Sequence, residues 1–492
     1  MRLCTVLTFL ILSHLTFCQV PSWQWGDRLP YLANSGYPYG TSKVDRFGNF
    51  FSLVQADTTS FISKRDTKGS LVWQKSISGK IYGLTVDKDG NCYIVGNSSD
   101  CGYFVPDKNS NGLLFKFDPY GALMWQKIIP VKGSGILSIE STVNGIVIAG
   151  TVHDSTEAFM LAGYSLAGNL QWTLPDNTSN WQDPWWVAER IAIVKDGSIA
   201  FVYWSNNVYS LAKLDVNRQF VSKVTLGSES PYGLCFDKNH NIYVSLSFHM
   251  GASTSWGRLR KYSPSLGVVW EIQTHSGQSG DYTLVSEPEY CTMDSAIYIS
   301  GYVGNWNGGT NQVVLGDDTL KLKGLSDAII VRVNPANGKI IESYHAGGKS
   351  NDWIISLASD YLGNLYTLGG SKDSLCLDTH CMLTLDPFQY NLFVGKLKRS
   401  DMEFTDAVGI KTTRLESFQV FPNPTTDRLT IMRTSTVPSN ATIFDGNGKI
   451  QFETFLTEKT KEIDVSFLKS GVYQLSLLTE QDCHYHSFLI IR

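Results

Sequence analysis

The sequence predicts an all-β chain, a seven-bladed β-propeller followed by a small immunoglobulin-like β-sandwich, and three observations carry that prediction. The 492 residues include 43 Gly and 12% aromatic side chains, the turn formers and strand formers of β-rich proteins, with few long helical periodicities. Two short phrases alternate along the chain, seven copies of each, the pattern of a repeat architecture. Near Leu415 those phrases give way to Pro-broken strands of a different kind. The charge balance is nearly even, 41 basic against 45 acidic residues for a net of −4. With no Lys/Arg block, a nucleic-acid partner and a polybasic membrane footprint are both disfavoured.

Residues 1–18 read as a signal peptide. Arg2 precedes a short apolar run from Val6 to Leu12, too short for a permanent membrane anchor and followed by polar sequence. Small Thr16 and Cys18 suit cleavage after Cys18. The alternative is lipidation of Cys18, for which bulky Phe17 stands where a small residue is preferred. No other stretch reaches the ~18 apolar residues of a membrane helix, so the mature chain should carry no transmembrane segment. Of nine Cys, seven lie beyond the leader, an odd number in an oxidising compartment. Cys92 with Cys101, and Cys376 with Cys381, are the local pairs to test, against the reading of all of them as small buried apolar residues.

Residues 19–405 hold the repeats. The first phrase is an Asp or Asn turn leading into a strand. Asp87-Lys88-Asp89-Gly90-Asn91-Cys92-Tyr93 and Asp360-Tyr361-Leu362-Gly363-Asn364-Leu365-Tyr366 are clear copies, and Asp45, Asn144, Asp196, Asp237 and Asp294 mark the others. The second phrase is a strand, a turn and a strand often holding Trp, as in Lys116-Phe117-Asp118-Pro119-Tyr120-Gly121 running on to Trp125. Asp or Asn can hydrogen-bond its own backbone to begin a tight turn, and Gly supplies the positive φ that closes it. Two hairpins make four strands, and a four-stranded unit of about 52 residues is the size of a propeller blade. The insertions Val303 to Ser326 and Ser371 to Tyr390 should then be loops at one rim. The last copy lacks its Trp, and Ser22-Trp23-Gln24-Trp25 echoes Val72-Trp73-Gln74-Lys75, so the N-terminal segment should complete the last blade.

The turns resemble the bacterial β-propeller repeat family called SBBP, on Asp360-Tyr361-Leu362-Gly363-Asn364-Leu365-Tyr366 and on the strand Asp327-Ala328-Ile329-Ile330-Val331-Arg332. The third and sixth copies depart by losing the Gly-Asn pair. That family implies a fold and no single activity.

After a linker at 406–414, residues 415–492 read as a small sandwich. Val420-Phe421-Pro422-Asn423-Pro424, Asp445-Gly446-Asn447-Gly448-Lys449 and Gly471-Val472-Tyr473 occur in that order at the extreme C-terminus. These residues strongly resemble the type A sorting domain of the type IX secretion system, with Pro422, Asn423, Pro424, Asp445, Gly448, Lys449, Gly471 and Tyr473 on its motif. The resemblance implies the outer-membrane secretion machinery and its sorting protease as partners, and a secreted or cell-surface location. An ordinary accessory binding module is the alternative reading.

Candidate chemistry is sparser. Asp107, Asn109 and Asn111 have the oxygen-ligand spacing of a calcium loop, calcium being the one cofactor the sequence raises, although Pro119 forbids an EF-hand helix and a polar hairpin tip is the commoner meaning. Trp181, Trp185 and Trp186 cluster beside Pro184 and can stack on sugar rings or wedge between blades. His484 and His486 share a strand face without a third ligand. No His-Glu-x-x-His, Gly-x-Ser-x-Gly, Walker or Cys-x-x-Cys pattern occurs. Acid pairs such as Glu287 with Glu289, or Asp317 with Asp318, serve glycoside chemistry only where folding sets them across a cleft. The expected function is therefore a secreted or cell-surface binding or scaffolding module for an extracellular glycan or protein. A polysaccharide hydrolase or lyase with acids at the channel is the alternative, and a quinone-dependent propeller enzyme a third, lacking the adjacent Cys pair and metal ligands.

Overall fold

The computed structural model describes residues 22–33, 39–56, 59–98, 111–129, 134–152, 158–174, 187–194, 196–205, 208–249, 255–273, 281–305, 312–315, 318–373, 375–377, 380–382, 390–398, 418–433, 439–445, 450–478 and 483–492. Strands and no helix occur among them. The chain divides into two compact units, Met1–Glu403 and Phe404–Arg492.

Among the described residues of the first unit, seven antiparallel sheets carry a four-strand path. The first is Gly40–Val44, Phe50–Ala56, Thr59–Arg65 and Leu71–Ser78; the second is Lys80–Val86, Cys92–Asn97, Gly112–Phe117 and Leu123–Ile129. The third runs Ser134–Ser141, Gly145–Val152, Ala158–Ser165, Leu170–Leu174, and the fourth Val187–Ile193, Ile199–Ser205, Val208–Leu214, Phe220–Gly227. The fifth is Ser230–Phe236, Ile242–His249, Ser255–Tyr262 and Val268–Gln273. In the sixth, Asp281–Val285 and the short Glu289–Cys291 both pair with Ala296–Asn305, followed by Ser326–Val333 and Ile340–Ala346. The seventh takes Asp352–Ser359, Leu365–Ser371 and Tyr390–Lys398 from the end of the unit and Ser22–Ala33 from its beginning. The first strand of each sheet contacts the first strand of the next, with Glu289–Cys291 taking that place in the sixth sheet, and the seventh contacts the first, so the fold is propeller-like and the Ser22–Ala33 strand closes it.

The turn phrase explains itself at atomic level. Asp87 Oδ1 accepts the backbone N–H groups of Asp89 and Asn91, and its Oδ2 accepts Asn91 Nδ2 at 2.8 Å and the Tyr93 hydroxyl at 2.9 Å. Asp237 with Asn241 and Tyr243, and Asp360 with Asn364 and Tyr366, repeat the arrangement. The buried carboxylate is thus satisfied inside its own turn, which is the condition for burying it. The fifth copy has His240 at φ 62° where Gly90 and Gly363 stand in theirs; the sixth has Ser295 at φ 52° and the Arg332 guanidinium, 3.0 Å from Asp294 Oδ2, in place of the Asn amide.

The second phrase joins one sheet to the next. Trp73 Nε1 and Lys64 Nζ both donate to the Pro119 carbonyl of the following sheet, and Trp270 and Lys261 do the same to Pro335. The Trp73 ring lies so close to Gly121 (φ +84°) that an added Cβ would sit 2.8 Å from it, which is why that turn needs glycine. At the closure the same latch is made by Trp25: its Nε1 and Lys396 Nζ point to the Thr67 carbonyl, and its ring covers Gly69. The residue equivalent to Trp73 is therefore Trp25, two positions beyond the one the sequence echo indicated, because Trp25 is the residue opposite Lys396 in register. Trp23 is buried against Gly395 instead.

The insertions depart from the expected loops, while one of the two cysteine pairs singled out in the sequence forms. The insertions contain hairpins, Gln312–Leu315 with Asp318–Lys321 and Leu375–Leu377 with His380–Met382, and Val313, Leu315, Leu375 and Leu377 are buried in the cores of neighbouring sheets. Cys376 and Cys381 form a disulfide across the second hairpin. Cys92 is a free, buried thiol in an apolar cluster, the bland alternative for that residue; Cys101 lies outside the described residues.

The second unit packs a three-stranded sheet, Phe418–Phe421, Arg428–Arg433 and Thr460–Asp464, with a four-stranded one, Ile450–Leu456, Ser439–Phe444, Gly471–Leu478 and Cys483–Ile490. Leu429, Ile431 and Ile463 from one sheet share a core with Ile443, Leu475 and Phe488 from the other.

Candidate functional site

The first strands of the sheets alternate apolar residues with a few polar ones, and in a ring some of those residues must face the axis. They line a cavity of about 220 Å³. Into it come Lys43 from the first sheet, Glu140 from the third, Arg190 from the fourth and Glu287 and Glu289 from the sixth. Lys43 Nζ meets Glu140 Oε1 at 2.7 Å and Arg190 Nε stands 3.6 Å from Glu287 Oε1. Each pair skips the intervening sheet, so both bridge the ring rather than tie neighbours. Glu289 Oε1 instead accepts the Ser359 backbone N–H at 3.0 Å and hydroxyl at 2.7 Å. Gly233 makes room for Glu287, whose side chain lies where a Cβ would be.

Burial pushes the Glu289 carboxyl upward, against the Ser359 donors and the Lys43 charge that favour its ionised form. Burial opposes the charge of Lys43, but Glu140, Glu287 and Glu289 outweigh it and hold the ammonium above its ordinary range. Burial, with Glu289 and Asp237 near, raises the Cys235 thiol well above its usual value, so this cavity-lining cysteine is protonated and a poor nucleophile. The cavity therefore offers two donor cations and three carboxyl groups, one of them raised by burial. Such a set can bind hydroxyls and charged groups, and can exchange a proton.

Glu287 and Glu289 are the acid pair the sequence picked out, and folding does bring them into one cavity. Lys43, Glu140 and Arg190 were missed. Their available signal was a charged residue inside an apolar strand just before a turn phrase, visible only once the copies are superposed. Trp181, Trp185, Trp186, Asp107, Asn109, Asp317, Gly448 and Lys449 lie outside the described residues, as do the side chains of Asp318 and His484. Asn111 sits at a hairpin neck, where its N–H donates to Ser98 Oγ. Among the described residues no group of three or more His, Cys, Asp or Glu is arranged around a metal position, and no helix is long and apolar enough to cross a membrane.

In the tail the sequence-picked residues converge on the last strand. Asn423 Oδ1 accepts the Leu489 N–H at 2.9 Å, while Thr425, next after Pro424, exchanges backbone bonds with Leu489 and Ile491. Gly471 and Tyr473 pair with Ile490 and Phe488, and the Tyr473 hydroxyl donates to the Lys469 carbonyl. Asp445 Oδ2 accepts Gln451 Nε2. Pro422 lies in the turn that follows Phe421.

No curated protein matches the chain in sequence. Among solved structures, a fungal alcohol oxidase in complex with copper aligns at TM-score 0.49 and 11% identity, over 96% of this chain and 100% of that one. A catalytically inactive virginiamycin B lyase from Staphylococcus aureus with quinupristin aligns at 0.43 and 12%, over 75% and 99%, and the Dos1 propeller at 0.42 and 11%, over 71% and 76%. At these scores none of the three informs the site. Residues 419–492 match the family described as the secretion system C-terminal sorting domain. The tail is thus a sorting domain of the type IX secretion machinery, which carries its passenger across the outer membrane to the cell surface or beyond.

Proposed function

We propose that this chain is an exported seven-bladed β-propeller that binds an extracellular glycan or protein ligand, with an immunoglobulin-like sorting sandwich as its export tail and a signal peptide at residues 1–18. Seven four-strand paths with successive inner-strand contacts support the blade count. The observation that carries the binding reading is the pair of ion pairs, Lys43 with Glu140 and Arg190 with Glu287, that cross a cavity of about 220 Å³. Donors and acceptors contributed by several sheets suit a hydroxyl-rich ligand more than an apolar one. The aromatic cluster Trp181, Trp185 and Trp186 is a second platform for a sugar face. Glycan-array binding followed by calorimetry, with Glu140→Gln and a Trp185→Ala, Trp186→Ala double variant, tests both. Binding lost in Glu140→Gln places the ligand at the cavity, and binding lost only in the double variant moves it to the aromatic cluster. No binding on the array counts against a glycan ligand.

A polysaccharide hydrolase or lyase is the second reading, favoured by the raised carboxyl of Glu289 beside Glu287 and Glu140. It predicts release of reducing ends or unsaturated sugars from a polymer substrate, abolished in Glu289→Gln.

A further inference from the structure

A second cluster of buried acids lies outside the cavity, where the sixth and seventh sheets meet. Asp327 is the second residue of the strand Ser326–Val333 and Asp352 the first of Asp352–Ser359, and both residues are 1% exposed or less. Each caps the turn before it. Asp327 accepts the N–H groups of Lys323 and Gly324, and Asp352 Oδ2 accepts that of Gly348 at 2.7 Å. The two turns abut: a Cβ on Gly347 would sit 2.5 Å from Asp327 Oδ1, and one on Gly324 would sit 2.6 Å from the Gly348 carbonyl and 2.5 Å from that of Ser350. The meeting point is knitted from three sides. Ser326 bridges Asn351, Gly347 bridges Cys376 of the disulfide hairpin, and Lys372 donates to the Asn351 carbonyl.

One atom there is unexplained. Asp352 Oδ1 is fully buried and has no hydrogen-bond partner. Turn capping uses only its Oδ2, and leaving a buried carboxylate oxygen unsatisfied is costly. Burial, with Asp327 and Asp373 beside it, pushes Asp352 up to about 8. The cationic groups acting on the two acids are Lys323 and His345; the latter stands 3.9 Å from Asp327 Oδ2 and its Nε2 also bonds the Lys321 carbonyl. Carboxylates with main-chain carbonyls make a hard, all-oxygen donor set, with neither thiolate nor free imidazole nitrogen, and that set selects calcium over zinc or copper.

We propose that Asp327 and Asp352, with carbonyl oxygens of the 347–351 turn, bind a calcium ion that fastens the sixth sheet to the seventh. The site is distinct from the loop at Asp107 and independent of whatever occupies the cavity.

The test uses the full chain stripped with EDTA. Calorimetric titration with calcium chloride should show saturable binding and the melting temperature should rise with calcium; Asp352→Asn should lose both while keeping the far-ultraviolet spectrum of the parent. Terbium supplies a readout that does not depend on this variant folding. Bound at Asp352 it lies next to Trp353, so tryptophan excitation should give terbium luminescence that calcium displaces and that falls several-fold in Trp353→Phe. The proposal is overturned if calcium gives neither heat nor a thermal shift in the parent. It is equally overturned if Asp352→Asn binds as the parent does, if Trp353→Phe leaves the luminescence unchanged, or if Asp107→Ala alone abolishes binding.

Discussion

At the residue scale the fold depends on carboxylates buried inside their own turns. Asp237 illustrates why Asn and Tyr follow it at fixed spacing: Asn241 and Tyr243 both donate to Oδ2, and Lys261 stands 3.8 Å away. Tyr243→Phe removes one donor and keeps the ring, so it should cost about 1 to 2 kcal/mol in urea unfolding, whereas Asp237→Ala strands four donors and should cost more, about 3 kcal/mol. Equal losses in the two variants would show that the Tyr243 hydroxyl alone, and not the other donors in the turn, carries the carboxylate's contribution. Glu289 carries a pH signature. Its carboxyl is raised in the folded state mainly by burial, so the native chain holds that proton more tightly than the unfolded one. The contribution is present below the ordinary glutamate range near 4.3 and is lost as pH climbs through the raised folded value. Glu289→Gln keeps an acceptor for Ser359 and should flatten that decline, leaving the variant at least as stable as the parent at neutral pH. Parallel melting curves for parent and variant across pH 4 to 8 would refute the assignment.

At the scale of the element, the strand Ser22–Ala33 bears most on integrity. It pairs with Tyr390–Lys398 and brings Trp25 over Gly69 of the first sheet, thereby covering an edge that would otherwise stay open. Trp25→Ala should cost about 2 to 3 kcal/mol, less than a fully buried Trp because the ring is only partly buried. Gly69→Ala should also destabilise, since Gly69 has φ +86° and a methyl would sit 2.6 Å from the indole. Combining the two changes should cost less than their sum, since Ala at 25 removes the clash at 69, and thermal melts of the double-mutant cycle read this directly. The same element shows what sequence could and could not supply. Turn chemistry is local, so the Asp, Gly and Asn positions and the period of the sheets were legible, as was the need for an N-terminal closing strand. Register was not, because Trp23 and Trp25 have the same parity and both fit the apolar pattern; only the position of Lys396 opposite Trp25 decides between them. The cavity residues were illegible for a related reason. Lys43, Glu140 and Arg190 come from three sheets far apart in sequence, and no local pattern says which polar residue of a first strand faces the axis.

At the scale of the whole molecule, the two units have separate cores, and the sorting residues are bound up with the last strand of the second. Two models of export follow from that arrangement. If the machinery reads a short linear stretch, the Pro-Asn-Pro or Gly-Val-Tyr segment alone should suffice. The hydrogen bonds say otherwise: Asn423 and Thr425 hold Leu489 and Ile491, Tyr473 stacks on Phe488 at 5.8 Å, and Phe488 and Ile490 are buried in the core of the unit. The motif residues thus fix the place of the C-terminal strand, and the shape they make depends on that strand being present. Deleting Phe488–Arg492 leaves every motif residue in the chain but removes Phe488 and Ile490, two core side chains of roughly 1.5 to 3 kcal/mol each, from a unit too small to spare them. The deletion should therefore abolish surface delivery and leave the protein inside the cell envelope, while the propeller unit keeps its protease resistance. Arg428→Ala, which breaks only an exposed pair with Glu462, should leave export intact. Cell fractionation with surface protease shaving separates the models: full surface delivery of the five-residue deletion would mean that a linear signal, not a folded tail, is what the outer membrane recognises.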